Sequence, residues 1–323
     1  MVKHRRNGKA RLLHLIKNQF IKNIVSALNA DTMFLKRRWF NLKKNIVNKF
    51  IGIGLVLPSI FIIIVVITIP IIQSVLLSFQ SKDGKYSLEN YVHLFSDRSS
   101  VNNIIYTLNI VIITVIFTII FAYLMAMYLR FSKSWFSNAI GKLYLIPKFI
   151  PGIVAVYAMI GVINDAGAIN RLLLIFGIHF KPGLMYTPQG IILMNLWFNI
   201  PFATIIISAA LSSIPNSIIE SARDVGASKV EIFRRIILPL TAKSALVAIT
   251  FVFMSNVGSF TTPFLMGSNS PIMLGVSLYQ EFGAFYNLQQ AAAISVFMFI
   301  ICSIVGAFYI YSMMKEDKWN IQE

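Results

Sequence analysis

Six long apolar stretches, at approximately Phe50–Phe79, Ile104–Leu129, Leu143–Ile163, Gly190–Leu211, Ser244–Met266 and Ala291–Met314, restrict what this chain can fold into more than any other feature. A helix rises about 1.5 Å per residue and the hydrocarbon core of a bilayer is about 30 Å thick, so about 20 apolar residues cross it. Backbone N–H and C=O groups find no water there, and continuous apolar runs of this length satisfy them internally as helices. The predicted fold class is therefore all-α integral membrane, a six-transmembrane-helix bundle. Pro147, Pro151 and Pro201 interrupt the third and fourth stretches. A spanning helix tolerates proline where neighbours satisfy the freed backbone groups, which predicts close bundle packing.

Composition excludes the competing classes. Charged residues make up 13% and hydrophobic residues 57% of the chain, against about 25% and about 45–50% in soluble domains. Disorder requires low hydrophobicity, and a disulfide scaffold requires many cysteines, whereas Cys302 stands alone in an apolar run and reads as a small hydrophobe. The net charge of +17 suits nucleic acid or the cytoplasmic face of a membrane, and the positions of the charges decide for the membrane. Residues 1–49 hold 13 of the 29 Lys and Arg against the single acid Asp31. That asymmetry predicts a cytoplasmic N-terminus, and alternation then puts 130–142, 212–243 and the tail after Met314 on the same side. Those segments carry Arg130, Lys133, Lys142, Arg223, Lys229, Arg234, Arg235, Lys243, Lys315 and Lys318. The opposite loops, 80–103, 164–189 and 267–290, carry few cations, offset by acids such as Asp83, Asp165 and Glu281. Both termini are expected inside, with no nucleic-acid partner.

The expected organisation is a basic N-terminal extension, 1–49, a six-span domain, 50–314, and a short cytoplasmic tail, 315–323. The first apolar run is longer than a signal-peptide h-region of roughly 7–15 residues and lacks an A-x-A-like cleavage site, so it is expected to remain as a span. Ahead of it, Arg11–Leu28 repeats apolar residues at helical spacing, and reads either as an amphipathic helix on anionic membrane lipid or as a solvated topogenic tail.

Catalytic constellations are not visible. His4, His14, His93 and His179 are scattered without a second ligand at i+3 or i+4, and neither a phosphate-binding G-x-x-x-x-G-K-[ST] loop nor a G-x-S-x-G elbow occurs. Lys148 reads as a snorkelling cation about one turn into the third span. A non-catalytic chain is expected, with no metal.

The segment between spans four and five, 213–239, is different. Ser217 with Glu220, and Ser228 with Glu231, have capping-box spacing, Gly226 stands between them, and Pro239 is expected to stop the second helix before the fifth span. Ile218, Ile219, Ala222 and Val225, then Val230, Phe233, Ile236 and Ile237, form apolar faces backed by charge, as suits a helix laid on a partner. Glu220-Ser221-Ala222, three residues, Gly226, nine residues, then Ile236-Ile237-Leu238-Pro239 resembles the E-A-A-x3-G-x9-I-x-L-P loop of ABC importer permeases, the inner-membrane subunits of binding-protein-dependent transport. Ser221 replaces the family's Ala and is small enough to keep close packing. The resemblance covers about 50–314.

What it implies is a coupling helix docked on a separate ATP-binding subunit dimer, which holds ATP and Mg, together with a second permease subunit and an extracellular or periplasmic substrate-binding protein. Glu220, Ser221, Ala222, Asp224, Gly226, Ser228, Leu238 and Pro239 are the implied coupling residues. The expected site is a bacterial-type cell (inner) membrane. Ser255-Asn-Val-Gly-Ser-Phe-Thr-Thr-Pro-Phe-Leu-Met-Gly267, together with Met185-Tyr-Thr-Pro188 and Ala222-Arg-Asp-Val-Gly-Ala-Ser228, resembles the spermidine/putrescine-type branch, so the implied substrate is a polyamine-type small solute; phosphonate, ferric iron or a sugar or oligosaccharide is the alternative, and a secondary transporter or channel the alternative class. Asn195, Asn199, Ser255, Asn256, Ser259, Thr261, Thr262, Tyr279 and Glu281 are candidates for the pathway, or, for the polar groups, for helix–helix hydrogen bonds. Glu281, with Tyr279, Phe282 and Phe285 nearby, is expected at the outer mouth, or is an exposed loop acid.

Overall fold

The computed structural model describes residues 54–317. The N-terminal extension, including Arg11–Leu28, and the last residues of the tail lie outside the described residues. The chain divides into two units, Met1–Ile72 and Gln73–Glu323, and the packing described below is that of the second.

Among the described residues there are six helices long and apolar enough to cross a membrane. In chain order the elements are α1 (Gly54–Ser78), α2 (Glu89–Ser96), α3 (Arg98–Phe131), α4 (Trp135–Leu143), a 3-10 turn at Ile146–Lys148, α5 (Gly152–Ile163), α6 (Ala168–Ile175), α7 (Pro188–Ser212), α8 (Asn216–Asp224), α9 (Lys229–Val257, with a π turn at Phe233–Ile237), α10 (Thr261–Met266), α11 (Leu274–Tyr279) and α12 (Leu288–Asp317). The all-α, six-span class expected from the apolar stretches is what the chain adopts.

Local chemistry fixes where the long helices begin. The Asp97 side chain accepts from the Ser100 amide at 2.8 Å, which caps α3 and holds the Asp97 carboxyl below its ordinary pKa. Thr187 caps α7 in the same way, accepting from Gly190 N, and Pro188 takes a first-turn position where no N–H is needed. The α3 face that turns inward is built from small or short side chains, Thr107, Thr114, Thr118, Ala122 and Ala126, all of them buried. Such residues let helix backbones approach closely where lipid supplies no hydrophobic force between helices.

The core is α3, α7 and α9. Ile110 and Val111 of α3 meet Ile191 of α7 and Val257 of α9 at one end; Ala122 and Ala126 meet Ala203, Ile207, Leu211 and Ala245 at the other. Thus α3 and α7 run parallel and α9 runs against both. A hydrogen bond between Tyr123 Oη and Thr241 Oγ1, 2.8 Å, ties α3 to α9 inside this core. α12 lies along α9, where the Met254 side chain faces Gly306, and Cys302 is half-buried against the Ile110–Val257 cluster.

Four expectations are corrected. The third span does not start at Leu143: residues 144–151 hold only the 3-10 turn, and the helix begins after Pro151 and continues as α5 and α6. Two prolines four residues apart each lack a donor and bias the residue before them away from helix, so no spanning helix forms across them. Lys148 consequently belongs to the turn and not to a span; its Nζ lies 5.2 Å from the centroid of the Phe202 ring, and burial pushes its ammonium below the usual lysine pKa. The fifth span runs Lys229–Val257 instead of Ser244–Met266. Pro239 does not stop the second loop helix: it sits in the first turn of the regular stretch that follows the π turn, where the wide turn accommodates its missing N–H. Thr261–Met266 is a separate short helix after a turn at Gly258.

Candidate functional site

The loop 213–239 leaves the core at Leu211 and returns to it at Ile237, and its shape follows from three local interactions. Ser228 and Glu231 form a reciprocal capping box: the Ser228 amide donates to Glu231 Oε2 at 2.9 Å and the Glu231 amide to Ser228 Oγ at 3.3 Å. Gly226 has φ +85°, a left-handed conformation that favours glycine. Around it the Gly226 amide donates to Arg223 O and the Ala227 amide to Ala222 O, both at 2.9 Å, so α8 ends in a glycine C-cap. The box expected at Ser217 and Glu220 does not form. Pro215 occupies the N-cap position of α8 without a side-chain bond, which puts Ser217 inside the first turn, too far along to accept from the orphan amides. The start of α8 is instead anchored from α3, where Arg130 Nη2 donates to Ile214 O at 2.5 Å and to Asn216 Oδ1 at 3.1 Å.

Burial divides the loop into two surfaces. Ile219, Ile232 and Ile237 are buried with Ala122, Ala203 and Ile207, and Ala222, Phe233 and Ile236 pack on that cluster; the Tyr123 and Phe233 rings meet edge to face at 5.7 Å. The apolar face expected to meet a partner is therefore partly spent on the chain's own core. What remains outward is Ile218, Glu220, Ser221, Asp224, Val225, Gly226, Ser228 and Val230, all exposed, with Val225 86% exposed at the tip. Leu238 and Pro239 are also exposed, on the return to the bundle. Ile232, buried at 4%, is absent from the expected face, because a regular helix would turn it away from Ile237 and only the π turn brings both inward. Between the loop and α3 runs an apolar groove of about 820 Å³, lined by Leu124, Tyr128, Val230 and Leu238 among others.

The polar candidates along the bundle have unequal partners. Asn199 Nδ2 donates to Asn195 O at 2.7 Å, and Asn256 Nδ2 to Val252 O at 2.6 Å, each on its own helix. Asn195 is buried and its Nδ2 has no partner among the described residues. Ser255 is exposed, Ser259 and Thr261 are half-buried, and Thr262 is buried. At the far end of α9 the chain approaches itself closely: a Cβ on Gly275 would run into the Ser259 carbonyl, so glycine there lets α11 lie against the turn after α9. This contact gathers the Phe260, Phe264 and Tyr279 rings, with centroids 4.8 Å apart for Phe260–Tyr279, 4.9 Å for Phe260–Phe264 and 5.6 Å for Phe264–Tyr279. Glu281, half-buried, follows in the π turn Gln280–Ala284. Phe282 and Phe285 are exposed and take no part in the trio. Phe260 and Phe264 escape a sequence reading because only the fold brings them to Tyr279.

Comparison with known proteins agrees with this architecture. Residues 118–315 match the family described as binding-protein-dependent transport system inner membrane component. The spermidine/putrescine transport system permease protein PotB of Salmonella typhimurium (strain SL1344) is 24% identical over 225 residues, covering 69% of this chain and 78% of its own. The sulfoquinovosyl glycerol transport system permease protein SmoG of Agrobacterium fabrum (strain C58 / ATCC 33970) is 27% identical over 300 residues, covering 87% and 94%. A chain from the crystal structure of a bacterial ABC transporter involved in the import of the acidic polysaccharide alginate superposes with a TM-score of 0.73 at 19% identity, over 85% of this chain and 99% of that one.

Proposed function

This chain belongs to the binding-protein-dependent transport system inner membrane component family, and from that membership we propose that its 213–239 loop is the coupling element through which a separate ATPase drives an alternating-access pathway for a polyamine-type solute. It is an ABC importer permease subunit, a multi-pass transport component and not an enzyme. In the proposed assembly an ATP-binding subunit dimer holds ATP and Mg, a second permease subunit completes the pathway, and an extracellular or periplasmic binding protein delivers substrate.

The observation that carries the coupling reading is the two-sided loop. Ile219, Ile232 and Ile237 fasten it to α3 and α7, while Glu220, Ser221, Asp224 and Val225 face outward on a helix ended by a left-handed glycine. A surface held so firmly from behind can pass a displacement to the bundle as a rigid-body movement. In this reading Glu220 and Asp224 supply polar contacts with the ATPase, Ala222 the close packing of the loop on its own bundle, and Gly226 and Ser228 the joint between the helices. The test is co-purification. Wild type should bring an ATPase chain and a second permease out of the membrane, and Glu220→Lys should lose most of the ATPase while keeping the second permease. Retention of both by Glu220→Lys would overturn the assignment.

Orientation follows the Lys and Arg asymmetry, with both termini on the cytoplasmic side. In a Cys302→Ala background, cysteines at Ser87, His179 and Ser270 should react with an impermeant thiol reagent from outside, and cysteines at Ser134 and Ser228 should not. The inverse pattern would reject the orientation.

For the substrate, the Phe260–Phe264–Tyr279 trio followed by Glu281 offers aromatic faces and one carboxylate, a combination suited to protonated amines. PotB, named for spermidine and putrescine, is among the relatives. SmoG, named for sulfoquinovosyl glycerol, supports the sugar alternative. Uptake of labelled spermidine by the reconstituted transporter decides between them, and its absence would remove the polyamine reading while leaving the permease assignment in place.

A further inference from the structure

The apolar groove of about 820 Å³ between α3 and the loop carries two charged groups in its wall. Its size falls in the usual range of ligand pockets, roughly 300–1,000 Å³. Ile120, Leu124 and Tyr128 line it from α3, and Val230 and Leu238 line it from α9; all five are exposed, so the groove is open to whatever surrounds the bundle. Arg223, at the end of α8, and Lys229, at the start of α9, line it as well, and both are exposed. Among the described residues no carboxylate lines the groove; Glu231, two residues from Lys229, accepts from the Ser228 amide instead. The coupling reading of 213–239 uses neither cation.

The groove prolongs an apolar stripe. Ile113, Phe117, Ile120 and Leu124 recur along α3 at three- and four-residue spacing and are all exposed, which is the pattern of a single helix face turned away from the core. Past the end of that stripe come Tyr128, whose hydroxyl bonds to Ser134 Oγ at 3.1 Å, and Trp135, 81% exposed. Tyrosine and tryptophan gather at the headgroup level of a bilayer, where one side of the ring is apolar and the other wet. The stripe therefore runs from hydrocarbon toward headgroups, and the two cations stand on the loop at its polar end.

An occupant must be apolar along most of its length and anionic at the loop end. We propose that the groove is a site for one anionic phospholipid, with an acyl chain laid between Leu124 and Val230 and the phosphate held by Arg223 and Lys229. Both side chains donate to phosphate oxygens and neither can accept, so a headgroup that brings its own cation is the poorer fit. The chain's own 1–49 segment is also a poor occupant, because its 13 Lys and Arg against one acid would meet like charge in the same wall. The site needs the groove, the stripe and the two cations, and does not rest on the loop being a coupling element.

The test uses the assembled transporter in nanodiscs of phosphatidylcholine doped with phosphatidylglycerol that carries a photoactivatable diazirine in its acyl chain. Irradiation should place adducts within 119–131 and 229–238, saturably, and unlabelled phosphatidylglycerol should compete them away where added phosphatidylcholine does not. Half-saturation should rise roughly fivefold in Arg223→Gln and in Lys229→Gln, about what one cation near an anionic membrane surface contributes. Both residues are exposed, so these changes leave the packing of the bundle intact. Leu124→Trp narrows the groove while keeping both charges and should lose the adducts on 229–238; their retention would place the acyl chain elsewhere and overturn the site. Equal labelling by a phosphatidylcholine probe would reduce the groove to ordinary lipid contact, and unaltered half-saturation in both charge variants would remove the headgroup contact; either result overturns the proposal. Adducts on the lone chain that vanish on assembly would overturn it too, since a second permease or the ATPase would then be what covers the groove.

Discussion

The two ends of the bundle solve the problem of polar groups in different ways. At the end bearing the 213–239 loop, polar side chains bond to partners distant in sequence or to a helix terminus: Arg130 reaches Ile214 and Asn216, Tyr123 reaches Thr241, and Ser228 and Glu231 cap each other. At the far end the links between elements run from backbone amides to side-chain acceptors: the Ile272 amide donates to Asn103 Oδ1 at 2.8 Å and the Leu274 amide to Thr107 Oγ1 at 2.9 Å, while Asn199 and Asn256 turn back on the carbonyl four residues earlier in their own helices and Phe260 and Tyr279 meet through their rings. Both ends are therefore cross-linked, the first chiefly through an arginine and hydroxyl groups and the second through buried acceptors on α3 that receive the amides at the start of α11; what differs is that the loop end carries an exposed helical surface behind its links and the far end an aromatic cluster.

The widest consequence of that contrast concerns Gly226. Its φ of +85° and position at the joint leave no place for proline, so Gly226→Pro should reduce transport by more than tenfold while the transporter continues to hydrolyse ATP. Uptake and hydrolysis measured on one preparation check this, and coupled transport by the variant would break the distinction between the ends. At the far end the expected effect is smaller. If Glu281 stands on the proposed pathway, Glu281→Gln should slow spermidine uptake several-fold without changing hydrolysis coupling, and should spare or favour an anionic solute, because only one charge is altered. Uptake of spermidine and of a phosphonate side by side reads the difference. Smallest is a comparison within the loop itself. Ser228→Ala removes a formed cap and should cost about 1 kcal/mol of local stability, seen as faster amide exchange over 228–232; Ser217→Ala removes no cap and should leave exchange over 216–220 unchanged. Equal responses would mean that the two loop helices are held alike.

Much of this could be read from residues alone where the signal was local. Spans one, two, four and six are apolar runs bounded by turn residues and appear close to their expected limits, and Gly226 and the Ser228–Glu231 box are signals contained within a few residues. The misreadings occur where a local signal was overruled by its neighbour. Ser217 and Glu220 have capping spacing, but Pro215 starts the helix first. Pro147 and Pro151 act jointly and erase a turn of helix that one proline alone would have kinked. The reach of Arg130 to Ile214 and the aromatic trio depend on elements distant in sequence meeting, which no spacing rule encodes.

The π turn at Phe233–Ile237 has a consequence for how α9 keeps time along its length. Ile232 and Ile237 are five residues apart and both are buried, although in a regular helix that spacing separates them by about 140°. The wide turn absorbs one residue from the count, so the inward face of the loop and the inward face at Thr241, Ala245, Ala248 and Val252 stay in phase. Deleting one residue within 233–237 would accordingly restore an ordinary helix with both faces still aligned. The same deletion between Thr241 and Val252 would rotate everything beyond it by about 100° and turn the inward face out of register with α3 and α7.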